Sequence, residues 1–287
     1  MVKKLDPTEA RAFIARMGEG LAPKLRESVI PLCAEGETAP VQLGSGTLFR
    51  VADTSFLVTA AHVADVAAQQ GHQLYVSDGL PGSKGCGLHG PLHLARQKSF
   101  DLALWELPPD VVAALPTRRF LRLVDVDLSE TIKGGWFYIH GFPGCWSAPD
   151  PNVAKIIVTT FTYGAVLYGG PMDAFADHDP DVHVLLSVPK SGNADRDGNR
   201  AVLPNDLGGI SGSSLWQAYA EGQKSAEWTP DFVKVIAVQT GVYDLEDRDE
   251  YVVRGTRWGA VATVIWRNYE SLRPALALNC SGLSVER

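Results

Sequence analysis

Three short segments put a histidine, an aspartate and a serine in settings that core packing alone does not explain. Ser55-Phe56-Leu57-Val58-Thr59-Ala60-Ala61-His62 reads as a buried strand running through small residues into a histidine. Ser99-Phe100-Asp101-Leu102-Ala103-Leu104 sets an acid at the mouth of an apolar strand, and Gly208-Gly209-Ile210-Ser211-Gly212-Ser213-Ser214-Leu215 holds a serine in a glycine-rich turn ahead of another strand. Attack on an acyl carbon by a serine hydroxyl needs a base to take its proton, an acid to fix the base's tautomer, and N–H donors for the oxyanion. Ser211, His62 and Asp101 are of the right types. The N–H groups of Gly209 and Ser211 can point into one hole only if the turn adopts conformations that a Cβ resists, which gives the flanking glycines a mechanical purpose. Each residue alone has an ordinary explanation: a histidine bonded to backbone at a strand end, an aspartate capping a strand, a serine in a tight hairpin. Those explanations fail jointly rather than singly.

The elements that must position these side chains are short strands. Of 287 residues, 45% are hydrophobic, enough for a sizeable core, and 28 Gly with 18 Pro fit many strands and turns better than a helical bundle. Candidate strands are Gly46–Val51, Ser55–Thr59, Gln73–Ser77, Leu102–Leu107, Gly135–His140, Lys155–Phe161, Val182–Val188, Ser213–Gln217, Val233–Gln239 and Gly259–Val264. No helix-length amphipathic segment alternates with them, so the expected class is all-β, with antiparallel barrels or sandwiches. Ahead of them, Asp6-Pro7-Thr8-Glu9 reads as a helix start, followed by Ala10, Phe13, Ile14 and Met17 at helical spacing. Gly18, Gly20 and Pro23 should interrupt that helix, with another turn or two over Lys24–Leu32, making residues 1–36 a helical extension that braces the main body. Ile265–Leu272 has the spacing of a terminal helix, and Pro108–Thr117 could join two groups of strands.

Composition excludes several classes. Twenty-six Lys and Arg against 33 Asp and Glu leave a net charge of −7, so no global basic field draws in nucleic acid. Met1-Val2-Lys3-Lys4-Leu5-Asp6-Pro7 lacks an apolar region behind its lysines, and no run approaches about 18 apolar residues, so neither export by that route nor a membrane span is expected. Cys33, Cys86, Cys145 and Cys280 are scattered, as free thiols of a reducing cytoplasm would be. His89, His93, His140, His178 and His183 lack partners at zinc spacing and read as surface or packing residues. Asn193-Ala194-Asp195-Arg196-Asp197-Gly198-Asn199 copies the first half of a calcium loop, but its twelfth position is Pro204 rather than a bidentate Glu, which favours a solvated hairpin. Neither a metal nor another cofactor is expected.

With those residues in view, the chain resembles the trypsin-like (chymotrypsin-fold) serine peptidases over roughly residues 40 to 270. The resemblance rests on Gly44-Ser45-Gly46-Thr47 leading to Thr59-Ala60-Ala61-His62, then Asp101-Leu102-Ala103-Leu104, then Gly209-Ile210-Ser211-Gly212-Ser213, in the order His, Asp, Ser. Other hydrolase folds run their triads in different orders. Gly141-Phe142-Pro143-Gly144 is similar to a turn of bacterial members, and Val235-Ile236-Ala237-Val238-Gln239-Thr240-Gly241 to the strand along which substrate backbone lies. The resemblance implies two six-stranded antiparallel barrels, residues 37–120 holding His62 and Asp101 and residues 121–265 holding Ser211, with 266–287 as helix and tail. It implies a His62-Asp101-Ser211 triad, an oxyanion hole from Gly209 and Ser211, and substrate contacts from Asn205, Asp206, Gln239, Thr240, Gly241 and the Trp258-Gly259 region. An acid at 206 would favour Arg or Lys on the acyl side of the cut bond, unless Arg257 neutralises it.

The departures from that family are specific. Val63 and Leu207 stand where secreted animal relatives carry disulfide cysteines, and Ile210 stands where activated zymogens have an aspartate that pairs with a new N-terminus. Activation by N-terminal cleavage is therefore not expected, and the resemblance is to bacterial cytoplasmic members without a PDZ domain. The expected function is an endopeptidase acting on protein or peptide substrates, with the N-terminal extension or the acidic stretches Asp173–Asp181 and Asp244–Asp249 as surfaces for a regulatory partner. The competing readings are a latent protease-fold binding module and an esterase using the same site.

Overall fold

A computed structural model describes residues 7–37, 39–80, 83–96, 100–129, 131–150, 155–191, 203–204 and 206–279. Helix α1 (Pro7–Ser28) is continuous. Phe13, Met17, Leu21 and Leu25 form a buried stripe along one of its faces, while Ile14 is exposed. The expected interruption does not occur. A Cβ on Gly20 would stand 3.0 Å from Pro230 and 3.3 Å from Trp228, so glycine there lets the helix lie close against that turn. Ser28 ends the helix, its Oγ donating to the Lys24 carbonyl at 2.6 Å. The chain then enters strand β1 (Val29–Ala34) directly, so the helical turn expected over Lys24–Leu32 stops at 28 and residues 29–34 join the first sheet. Val29, Ile30 and Pro31 suit that switch, because β-branching and a missing N–H both disfavour a helix interior.

Strands β2 (Val41–Val51), β3 (Thr54–Ala60), β4 (Leu74–Val76), β5 (Cys86–Gly87), β6 (Leu92–Ala95) and β7 (Leu102–Glu106) join β1 in one antiparallel sheet. Its order is β5-β4-β1-β2-β3-β7-β6, so the expected six-stranded first barrel is a seven-stranded half-barrel with β5 and β6 as its edges. Helix α2 (Ala61–Gln69), absent from the sequence reading, follows β3. The Pro108–Thr117 stretch contains helix α3 (Pro109–Ala113), and buried Val111 and Leu115 tie it to the first core.

Strands β8 (Gly135–Gly141), β11 (Phe161–Leu167), β12 (His183–Pro189), β13 (Ser214–Ala220), β14 (Lys234–Leu245) and β15 (Glu250–Arg257) close the second barrel in the order β11-β12-β15-β14-β13-β8. A two-stranded ribbon, β9 (Ala148–Asp150) and β10 (Lys155–Ile157), interrupts it, so the strand expected over Lys155–Phe161 divides between β10 and β11. Gly259–Val264, expected as a strand, lies instead in helix α4 (Trp258–Asn268), followed by α5 (Arg273–Asn279). A short apolar run of this kind fits either element, and only its tertiary setting decides. One apolar cluster fuses the halves: Phe49 of β2, Trp216 of β13 and Trp258 of α4 are fully buried together with the α1 stripe, and the Phe49 and Trp258 rings meet edge-on at 5.3 Å.

Candidate active site

Strand β3 delivers the chain into α2, which sets His62 in the first turn of that helix. Strand β7 pairs with β3 so that Leu102 lies opposite Ala60, and the register brings Asp101, the residue before β7, beside the residues that follow β3. Asp101 adopts φ +40°, a left-handed conformation that Asp tolerates better than most residues. From there one carboxylate oxygen accepts the His62 backbone N–H at 3.0 Å and the other meets His62 Nδ1 at 2.8 Å. The Asp101 carbonyl also accepts the Ala61 N–H at 3.1 Å. With Nδ1–H donating to the carboxylate, Nε2 is the ring's acceptor, the state a general base needs.

Ser211 sits in a turn whose carbonyls are all directed into the protein. The Gly208 carbonyl accepts the Gly144 N–H at 2.7 Å, the Ile210 carbonyl accepts the Ser213 N–H at 2.9 Å, and the Ser211 carbonyl accepts the Ser45 N–H at 2.8 Å. The Gly209 carbonyl accepts both Ser45 Oγ and Gln42 Nε2 at 3.0 Å. Among the described residues, the N–H groups of Gly209 and Ser211 donate to no protein carbonyl. Gly209 and Gly212 take φ +89° and +87°. A Cβ on Gly212 would lie 2.1 Å from the Ser45 carbonyl oxygen, so the two sheets meet across glycine. Ile210, fully buried, packs with Leu207 in the barrel core and anchors the turn by apolar contact.

His62 and Ser211 line one cavity of about 430 Å³, together with Asp206, Gln239, Thr240 and Gly241. All four of these were substrate-contact candidates in the sequence; the fifth, Asn205, lies outside the described residues. Among the described residues, no hydrogen bond joins Ser211 Oγ to His62 Nε2. Asp206 is exposed, with one carboxylate oxygen accepting the Gly208 N–H at 2.7 Å. Strand β13 parts from β14 after Val238, and from Gly241 to Leu245 β14 pairs with β15 alone, leaving a strand edge along the cavity. Behind that edge Arg254 is buried. It donates to the Thr240 carbonyl at 3.2 Å, pairs with Asp177, and would lie 3.2 Å from any Cβ placed on Gly241.

Three sequence expectations are corrected or displaced. Trp258 is no cavity wall but a fully buried core residue. Arg257 donates to the His183 carbonyl at 3.1 Å, and the carboxylate whose charge it feels is Asp181 rather than Asp206. The Asn193–Asn199 loop lies outside the described residues. Asp244 and Tyr251 line the cavity unforeseen, because β15 is absent from the expected strands and Asp244–Asp249 reads only as an acidic surface stretch. Gln42 and Ser45 were also missed as supports of the serine turn. Ser45 belongs to the Gly44-Ser45-Gly46-Thr47 motif, but nothing in that motif points to its role under the turn, and Gln42 has no signal beyond being polar at the start of β2. Among the described residues, no cluster of His, Cys, Asp and Glu could hold a metal. Cys33, Cys86 and Cys145 are free, and burial pushes the Cys33 thiol up to about 11.

No protein-family model and no curated protein matches the sequence. Among solved structures, an HtrA-type protease with a bound decapeptide is similar at a TM-score of 0.50 and 13% identity, covering 88% of this chain and 67% of that one. The fold is chymotrypsin-like. A Glu endopeptidase matches at 0.45 and 12%, covering 84% and 89% of the two chains. A structure from work on the Sesbania mosaic virus VPg protein matches at 0.44 and 12%, covering 85% and 90%. In this chymotrypsin-like frame the half-barrel contributes His62 and Asp101, and the closed barrel contributes Ser211.

Proposed function

We propose that the chain is a serine endopeptidase in which Ser211 attacks the scissile carbonyl. His62 takes its proton through Nε2 and returns it to the leaving amine. Asp101 holds the ring's tautomer and stabilises the imidazolium, while the Gly209 and Ser211 N–H groups receive the oxyanion. The observation that carries this reading is a turn with two N–H groups that meet no carbonyl among the described residues, on the same cavity as a histidine held at 2.8 Å by a carboxylate. The β14 edge beside Gly241 is positioned to pair with an extended substrate backbone, which favours a peptide over a small ester.

Asp206 gives the cavity a carboxylate whose partner among the described residues is the Gly208 N–H, while Asp244 is paired with Lys190 and Arg254 behind Gly241 with Asp177. That balance supports Arg or Lys on the acyl side of the cut bond. The three free thiols among the described residues, with Cys33 held protonated by burial, suit a reducing compartment such as a cytoplasm. Ser211→Ala is expected to abolish covalent labelling by a fluorophosphonate and cleavage of Arg- and Lys-containing peptides, with the fold intact by circular dichroism. Labelling of the variant at the parent rate would overturn the assignment of Ser211.

A further inference from the structure

A second cavity, of about 530 Å³, collects four arginines, Arg50, Arg118, Arg119 and Arg122, in a chain whose net charge is −7. It is lined by β2, α3 and the segment after α3, with Arg118 reaching the Arg26 carbonyl near the end of α1, and none of its described lining residues belongs to the cavity of His62 and Ser211. We propose that it binds an organic polyanion: an apolar or flat body carrying two or more phosphate charges.

Arg50 and Arg118 are anchored chiefly by neutral acceptors, whereas Arg119 shares an ion pair with Asp125. Arg50 donates to Ser55 Oγ at 3.0 Å and lies 4.7 Å from the centre of the Phe120 ring. Arg118 donates to the Arg26 carbonyl at 2.7 Å and reaches no closer than 4.0 Å to Asp78, whose oxygens accept the Thr117 N–H and hydroxyl. Among the described lining residues Asp125 is the one carboxylate, and it is shared between Arg119 and buried Lys24, each at 3.0 Å. Arg122 is exposed and makes no ion pair among the described residues. Burial lowers the affinity of Arg118 for its proton, with only Asp78 opposing, which marks a desolvated cation short of negative charge. Guanidinium forks held at fixed positions match phosphate oxygens in pairs.

The remaining lining is apolar, with Leu115, Phe120 and Val124 among it. A bare inorganic ion would leave that surface unused, and the volume is that of a small-molecule site. The Phe120 face already carries Arg50 and so presents a stacked wall to a flat ligand. This proposal stands whether or not Ser211 is a nucleophile.

The test titrates the full chain by calorimetry, at low salt, with ATP and separately with inorganic tripolyphosphate. Both are expected to saturate at one site per chain, with ATP the tighter and its binding weakened by added salt. Arg122→Glu removes a cation, and Val124→Glu places a carboxylate at the rim without touching an arginine. Each should weaken ATP by about tenfold or more, with the thermal midpoint of the unliganded protein unchanged. ATP should raise the thermal midpoint of the parent more than that of either variant. Absence of saturable binding, or ATP affinity unmoved in both variants, would overturn the site. Tripolyphosphate binding as tightly as ATP would overturn the apolar-bodied ligand.

Discussion

A turn whose Gly209 and Ser211 N–H groups meet no carbonyl among the described residues must have its own carbonyls fastened elsewhere, and at residue scale Ser45 and Gln42 do that fastening. Ser45 Oγ donates to the Gly209 carbonyl and accepts the Phe142 N–H, each at 3.0 Å, while its own N–H holds the Ser211 carbonyl. Gln42 Nε2 reaches the same Gly209 carbonyl and that of Gly44. Both act through the turn and not on substrate, so Ser45→Ala is expected to lower kcat about tenfold, the worth of one such hydrogen bond, with KM nearly unchanged. A rise in KM alone would mean that Ser45 serves binding instead. Gly209→Ala is a harsher change. At φ +89° the new Cβ would meet the Gly144 nitrogen at 2.5 Å, so the peptide carrying the Gly209 N–H must turn. Loss of one oxyanion donor costs about 10²–10³ in rate, and the fluorophosphonate labelling rate should fall on that scale while far-ultraviolet circular dichroism is retained. Labelling at the parent rate would exclude the Gly209 N–H as donor.

Helix α1 is bound to the rest by its apolar stripe and by polar contacts that include a buried ion pair, and among the elements it carries the clearest structural forecast. Lys24 and Asp125 meet at 3.0 Å with both side chains 8% exposed, and Lys24 also donates to the Val233 carbonyl at 3.1 Å. Burial alone would raise the Asp125 carboxyl, but the Arg122 N–H and the charges of Lys24 and Arg119 hold it below its ordinary value. Lys24→Met strands part of that charge and should destabilise by about 3 kcal/mol in urea unfolding, much of it recovered by adding Asp125→Leu. No recovery in the double variant would mean that the loss is packing. Among the other elements, those beside the chemistry were the most legible: β3, β7, β8 and β13 show as apolar runs ending in turn residues, because each is buried along nearly its whole length. Strand β15 was hidden by Arg254 and Gly255, two residues that look foreign to a strand, although Arg254 is buried by pairing with Asp177 and a Cβ on Gly255 would lie 2.4 Å from Leu215. Helix α4 was mistaken because Trp258, Ala260, Val261, Ala262, Val264 and Ile265 are buried on nearly all sides, which erases the polar face that marks a helix. Of the candidate site, residue types and order were readable from the motifs. The cavity wall from β15 and the supports from β2 were not, since both arise from pairing between distant segments.

At the scale of the whole molecule, the halves share one apolar cluster, so unfolding should be a single cooperative event and a buried titrating group should report on all of it. His140 on β8 is such a group. Its Nδ1 meets Thr162 Oγ1 at 2.6 Å, and it is 1% exposed. Burial first, then the positive charges of Arg26 and Arg118, lower its pKa from the ordinary 6.5 to about 3. It therefore stays neutral in the folded chain while the unfolded chain takes up a proton near 6.5. Below that pH the unfolded state binds more protons, so stability is full above 6.5 and falls on acidification toward 3, by up to about 1.4 kcal/mol per pH unit from this group. His140→Asn keeps a polar atom near Thr162 but cannot titrate. It should be less stable than the parent at pH 7.5 and lose less on going to pH 4.5, so the gap between their urea midpoints narrows as pH falls. Because all other titrating groups are common to both chains, a gap that stayed constant from pH 7.5 to 4.5 would show that acid acts on this fold elsewhere than at His140.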